Sequence, residues 1–174
     1  MVNIALVGCN GKMGKAVTSA VQSRNDCEIV FGADPFGTPA YDYPVFESLA
    51  VSDKKADVII DFSNPASLDD ILAYALEKKI PCVLCTTGYS PEQVEKIKKA
   101  SESVAVFYSG NMSLGINLLI ELSKEAAKIL SAADFDIEIV EKHHNQKIDA
   151  PSGTALMIAD GISDTLAEEP QYVY

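Results

Sequence analysis

The stretch that decides the fold is Val2-Asn3-Ile4-Ala5-Leu6-Val7-Gly8-Cys9-Asn10-Gly11-Lys12-Met13-Gly14, at the head of the chain. Val2 to Val7 is a short apolar run that ends in glycine. Lys12 to Arg24 then carries Met13, Val17, Ala20 and Val21 at helical spacing. Strand, glycine turn and helix in that order open a βαβ unit, and the turn has the form G-x-x-G-x-x-G. Glycines there let the backbone approach a pyrophosphate, whose charge is met by free N–H groups and the positive end of the helix dipole. The plain alternative is a tight turn that needs small residues only for helix packing. The flanking elements favour a dinucleotide, held by Gly8, Asn10, Gly11, Lys12, Met13 and Gly14.

Working outward, Cys27 to Ala33, Asp57 to Phe62, Pro81 to Cys85 and Val104 to Tyr108 are further apolar runs bounded by polar or turn-forming residues. Between them Pro65 to Lys78 and Pro91 to Ser101 read as helices, each opening with a proline suited to the first turn. This alternation predicts a Rossmann-type, doubly wound parallel sheet of α/β class. Pro35 to Pro44, dense in Pro, Gly and Tyr, reads as a loop beside the cofactor.

After Tyr108 the pattern changes. Ser113 to Leu130 is a long amphipathic helix, and Phe135 to Glu141 alternates apolar with polar residues, as a half-buried strand does. The boundary is placed near Ser109, giving a dinucleotide-binding domain over 1–109 and a second, α+β substrate domain over 110–174. That domain ends without a capping element and is expected to be incomplete, as if truncated.

Asp34 follows the second apolar run, twenty residues after Gly14, where a carboxylate can accept hydrogen bonds from ribose hydroxyls; the alternative is an exposed loop acid. Pro35 and Phe36 supply no cation for a 2′-phosphate, and an aspartate repels one. NADH is therefore expected to be preferred, with NADPH also accepted because Lys12 offers a charge nearby. Phe62-Ser63-Asn64-Pro65, Cys85-Thr86-Thr87-Gly88 and Ser109-Gly110-Asn111-Met112-Ser113 all fall at strand carboxyl ends. There they either line a nicotinamide pocket or form ordinary polar turns.

The two histidines of the chain are adjacent, in Glu141-Lys142-His143-His144-Asn145-Gln146-Lys147-Ile148-Asp149-Ala150-Pro151-Ser152-Gly153-Thr154. Histidine is the side chain most easily poised to give a proton near neutrality, and a nearby lysine can pair with a carboxylate. Ser152 precedes an apolar-periodic run and is read as an N-cap, so that first-turn N–H groups can bind an anion. A solvated loop followed by a plain helix cap is the bland reading of each piece. Their occurrence together points to reduction of a small anionic substrate.

The formal net charge of -11 argues against a nucleic-acid surface. No apolar run reaches the roughly 18 residues of a membrane span, so a soluble protein is expected. Cys9, Cys27, Cys82 and Cys85 lie mostly in apolar surroundings, with no secretory-type segment ahead of them, which predicts reduced thiols and a cytoplasmic setting. Cys82 and Cys85 form a C-x-x-C inside what reads as a buried strand, and adjacent histidines with no third ligand at suitable spacing make a poor metal set. No metal is expected.

At these residues the chain resembles the 4-hydroxy-tetrahydrodipicolinate reductase (dihydrodipicolinate reductase) family. The matching blocks are Gly8 to Gly14, Thr86-Thr87-Gly88, Asn111 to Asn117 and Glu141 to Ala155, the last being highly specific. The resemblance covers the whole chain. It implies hydride transfer from NAD(P)H to a cyclic imine-type dicarboxylate with loss of water, giving tetrahydrodipicolinate on the diaminopimelate route to lysine. It further implies that His143 is the proton donor and that Lys147 is the substrate-carboxylate ligand and an acid assistant. His144, Gly153 and Thr154 complete the substrate pocket, while Gly8, Lys12, Met13, Asp34, Thr86, Thr87, Gly88, Ser109, Gly110, Asn111 and Met112 contact the cofactor. A homotetramer is implied when the full-length C-terminal part is present. Two departures stand out: Cys85 replaces a glycine or alanine common in the family, and family members are considerably longer. The competing readings are another nicotinamide-dependent reductase of this architecture, such as an amino-acid dehydrogenase, which would lack the His143 to Thr154 block, and a catalytically silent dinucleotide-binding module.

Overall fold

Strand β1, Val2–Val7, is apolar on both faces, with Ala5 and Leu6 wholly buried. A strand in that situation belongs in the middle of a sheet covered on both sides. The computed structural model, which describes residues 1–36, 41–145, 147, 150–168 and 170–173, places it there. β2 (Cys27–Ala33) and β4 (Val58–Asp61) flank it. β3 (Val45–Phe46) lies beyond β2, and β5 (Cys82–Leu84) and β6 (Val106–Tyr108) lie beyond β4. The order is β3-β2-β1-β4-β5-β6 with every pairing parallel. The strand order reverses at β1, and a sheet of this kind receives ligands outside the carboxyl ends of its strands at such a point.

Helices α1 (Lys12–Gln22), α2 (Leu68–Lys78) and α3 (Pro91–Ser101) connect the strands. Alternation along β1 separates two cores. Ala5 and Val7 join Phe31, Ile59, Leu68, Ile71, Leu84 and Ile97 on one face, and Ile4, Leu6, Cys9 and Ile29 meet Val17 and Val21 on the other. Each fully buried large side chain contributes roughly 1.5–3 kcal/mol against the unfolded chain. α3 starts in a reciprocal cap, Ser90 with Gln93, with Pro91 in its first turn. The helix expected over Pro65 to Lys78 begins as a 3₁₀ turn, Pro65–Ser67, whose first N–H groups are met by Asn64, and ends at Lys79 in the left-handed region (φ 55°).

The chain divides into two compact units, Met1–Gly110 and Asn111–Tyr174. In the second, α4 (Leu114–Leu130) is capped by Ser113 and followed by a 3₁₀ turn, Ser131–Ala133, and α5 (Gly153–Ser163) is capped by Ser152. α4 and α5 approach closely, since a Cβ on Gly161 would lie 2.9 Å from Ile120 Cγ2.

The segment Pro35 to Pro44, read as a loop, carries no helix or strand among its described residues, and the sheet's edge strand β3, which the sequence did not announce, follows it immediately; residues 37–40 lie outside the described residues. One expectation needs correction. Phe135 to Glu141 was expected as a strand, yet it pairs with no strand among the described residues and its residues are exposed. Period-two alternation supplies an apolar face, but a strand exists only with a hydrogen-bonded neighbour, and among the described residues the second unit contains no other strand.

Candidate functional site

Gly8 leaves β1 with φ +75°, donating its N–H to Ala33 O at 2.9 Å. A Cβ there would stand 2.5 Å from Phe62 O, and one on Gly14 would stand 2.3 Å from Gly8 O. Both positions therefore exclude any side chain. Gly11, the N-cap of α1, offers no side-chain cap, so the first-turn N–H groups of Lys12, Met13 and Gly14 have no side-chain acceptor among the described residues. Lys12 and Met13 are exposed beside them. This is a backbone cradle open to an anion.

Asp34 closes the cradle's flank. Its two carboxylate oxygens accept the N–H groups of Asn10 (3.0 Å) and Phe36 (2.9 Å), and Asn10 Nδ2 donates to Phe36 O. Along the rim runs a cleft of about 560 Å³ lined by Gly8, Gly11, Asp34, Phe36, Glu47, Phe62, Ser63, Asn64 and Asp70 among others. The glycine turn, Asp34 and the Phe62 to Asn64 segment are thus brought together in one groove.

The other rim residues form a neighbouring group within the same unit. Thr86, Thr87 and Gly88 (φ +80°) follow β5, and Ser109 donates its N–H to Leu84 O at 3.1 Å. A Cβ on Gly110 would lie 3.3 Å from Thr87 Cγ2, so the two rim segments touch. Beneath them lies a residue that sequence reasoning missed. Asp61, wholly buried at the end of β4, accepts from Ser63 N–H (2.9 Å), from the Ser63 hydroxyl and from the Tyr89 hydroxyl (3.1 Å). One carboxyl group therefore ties the β4 rim to the β5 rim. Burial, reinforced by Asp61, raises the Tyr89 pKa above the ordinary phenol range. Thr86 Oγ1 is buried without a hydrogen bond among the described residues. The available signal was a lone acid inside an apolar run.

In the second unit Asn111 and Thr154, 43 residues apart, meet through Asn111 Nδ2 donating to Thr154 Oγ1 at 3.1 Å. Ser152 Oγ accepts from Ala155 N–H at 3.0 Å, while Gly153 and Thr154 N–H make no hydrogen bond among the described residues. A Cβ on Gly153 would meet nothing within 4 Å. His143 and His144 are exposed, Lys147 is half-buried, and Lys147 N–H donates to His144 O at 3.3 Å. Met112 is exposed. Gln146, Ile148 and Asp149 of the same loop lie outside the described residues. Glu141, not singled out from sequence, accepts Ser152 N–H at 2.8 Å and lies 3.5 Å from His143 Nδ1.

The cysteines are free thiols. Burial, with Asp34 adding, pushes Cys9 up to about 11, and burial with Asp61 does the same for Cys82 and Cys85. Such thiols are poor nucleophiles and poor ligands. Among the described residues no three His, Cys, Asp or Glu side chains converge as a metal set, and no helix is long and apolar enough to cross a membrane.

The N-terminal family model for dihydrodipicolinate reductase matches residues 2–112, and the C-terminal model matches 115–172. This chain belongs to the dihydrodipicolinate reductase family. The 4-hydroxy-tetrahydrodipicolinate reductase of Clostridium tetani is 52% identical over the whole chain, which covers 68% of that relative. The enzyme of the same name from Caldanaerobacter subterraneus is 49% identical with the same coverage. The dipicolinate-bound dihydrodipicolinate reductase from Paenisporosarcina sp. TG-14 superposes with a TM-score of 0.79 at 28% identity, over 99% of this chain and 69% of that one. The chain thus spans about two thirds of the length of these reductases.

Proposed function

We propose that the protein reduces 4-hydroxy-tetrahydrodipicolinate to tetrahydrodipicolinate on the diaminopimelate route to lysine, taking hydride from NAD(P)H. The observation that carries this reading is the match of one chain to both halves of the family, with the glycine cradle in one half and the His143 to Thr154 block in the other.

The residues present fit a nicotinamide dinucleotide. The cradle is closed to a Cβ at Gly8 and Gly14, and among the described residues no side chain caps the first-turn N–H groups of Lys12, Met13 and Gly14, which leaves them for a pyrophosphate. Asn10 holds Asp34 in place to accept from ribose hydroxyls. The family resemblance assigns Thr86, Thr87, Gly88, Ser109 and Gly110 of the first unit, and Asn111 and Met112 of the second, to the nicotinamide end. When bound, the reduced cofactor supplies the hydride. The chain's own residues do the rest: Lys147 and the N–H groups of Gly153 and Thr154 hold the substrate carboxylates, with His144 beside them, and His143 delivers the proton. The ring hydroxyl departs as water with a proton from the neighbouring ring carbon, and hydride and the His143 proton add across the conjugated imine so formed. Residues 1–109 act as the dinucleotide-binding domain and 110–174 as the substrate domain. The reaction belongs to the cytoplasm, where the free thiols remain reduced, and the working assembly is a homotetramer.

NADH is the preferred cofactor. The cleft lining holds Asp34, Glu47 and Asp70 and, among the described residues, no lysine or arginine to meet a 2′-phosphate. Lys12, exposed at the head of α1, leaves NADPH usable. Replacing Asp34 by Ser should shift the kcat/KM ratio of NADH to NADPH roughly tenfold toward NADPH, about 1.4 kcal/mol. The deciding assay supplies the condensation product of pyruvate and aspartate semialdehyde and follows oxidation of each cofactor. Turnover with NADH ahead is expected. A clear advantage for NADPH contradicts the cofactor preference alone, and cofactor binding with no turnover contradicts the function.

A further inference from the structure

A histidine that gives a proton from one ring nitrogen works best when the other is held, because the partner of the second nitrogen fixes both tautomer and ring orientation. The neighbourhood of His143 supplies such a partner. Glu141 Oε2 stands 3.5 Å from His143 Nδ1, and Glu141 Oε1 accepts the Ser152 N–H at 2.8 Å. Ser152 in turn caps α5 through Ala155 N–H. The carboxylate therefore clasps the two ends of segment 142–151 and reaches the imidazole from the side opposite Nε2. The Ser152 hydrogen bond, with smaller help from His143 and Lys147, holds the Glu141 carboxyl below the ordinary glutamate range.

We propose that Glu141 is a positioning residue for the reduction: it holds His143 through Nδ1 so that Nε2 is the nitrogen that gives the proton. This rests on the reading of His143 as the proton donor. The imidazolium loses the proton on Nε2 to the substrate, is left neutral with its remaining proton on Nδ1 facing the carboxylate, and is recharged from solvent. At 3.5 Å the carboxylate oxygen and Nδ1 are in contact, near enough for the charge to act on the ring.

The competing reading is that Glu141 only closes the loop. Glu141→Gln separates the two, since the amide oxygen still accepts the Ser152 N–H while the negative charge facing Nδ1 is gone. Nitrogen NMR of histidine-labelled full chain reads the tautomer directly. Neutral His143 should carry its proton on Nδ1 in the wild type and mainly on Nε2 in Glu141→Gln. With that change kcat should fall roughly 10-fold to 100-fold while the cofactor KM stays within about twofold. An unchanged tautomer and kcat, with only the melting temperature lowered, overturns the proposal. His143→Ala run alongside keeps the two readings apart. If its kcat matches wild type, the proton-donor assignment fails by itself, and the tautomer result still decides whether Glu141 orients the ring.

Discussion

The two units treat apolar side chains in opposite ways. In Met1–Gly110, Leu6, Phe31, Ile59 and Leu84 are wholly buried between a complete parallel sheet and its helices. In Asn111–Tyr174, Leu114, Leu118, Leu122 and Ile129 on α4 stand 85, 58, 59 and 70% exposed, and Ile137 and Val140 follow in a segment with no strand partner among the described residues. The difference teaches how each proposed site is held. The first unit builds its cradle from backbone, in a turn that tolerates no Cβ at Gly8 or Gly14, and so depends on the rigidity of a closed core. The second presents side chains on a loop, tied down by a few hydrogen bonds rather than by a packed surface.

If that contrast is correct, the largest effect comes from disturbing the backbone site. Gly14→Ala places a methyl group 2.3 Å from Gly8 O and 2.5 Å from Cys9 Cα, both backbone atoms that cannot swing aside. A loss of about 3 kcal/mol in unfolding free energy is expected by denaturant titration. NADH affinity should fall at least tenfold by fluorescence titration, about 1.4 kcal/mol. Wild-type affinity in this variant breaks the contrast. A smaller effect is expected from Asp61→Ala, which leaves Ser63 N–H and the Tyr89 hydroxyl without their acceptor. The cost should be about 2–3 kcal/mol, read as a lowered denaturation midpoint. Asp61→Asn, which keeps an acceptor for Ser63, should recover part of it.

The smallest effect belongs to the second unit and is a function of pH. Glu141 has a depressed pKa, caused first by its bond to Ser152. Its contribution is therefore fully present above the ordinary glutamate pKa and is lost as pH falls through the lowered value. Because the group is exposed, global stability should hardly move. Hydrogen exchange at the Ser152 amide should instead quicken, relative to other capped amides, as pH falls through that range. An exchange ratio that does not change with pH contradicts the loop clasp.

What could be read from sequence follows the same division. The β1–turn–α1–β2 order was legible because Gly8 and Gly14 admit no side chain and because apolar runs buried on both faces leave a continuous signal. Asp34 was legible by its distance from the turn. β3 was not, since two residues, Val45 and Phe46, cannot show a period. Phe135 to Glu141 misled because alternation reports faces and says nothing of a neighbour. Among site residues, His143, Lys147 and the Ser152 cap stood out by type. Asp61 and Glu141 did not, because each acts through partners remote in sequence, Tyr89 in one case and Ser152 in the other.

The central claim is that the first unit binds the cofactor and His143 of the second delivers the proton. Pre-steady-state kinetics on His143→Ala, with NADH affinity measured on the same protein, tests it most directly. The account predicts an unchanged NADH dissociation constant with a reduction step slowed by roughly 10²–10⁴-fold. A reduction step at the wild-type rate, or an affinity for NADH that collapses with the imidazole, would contradict it.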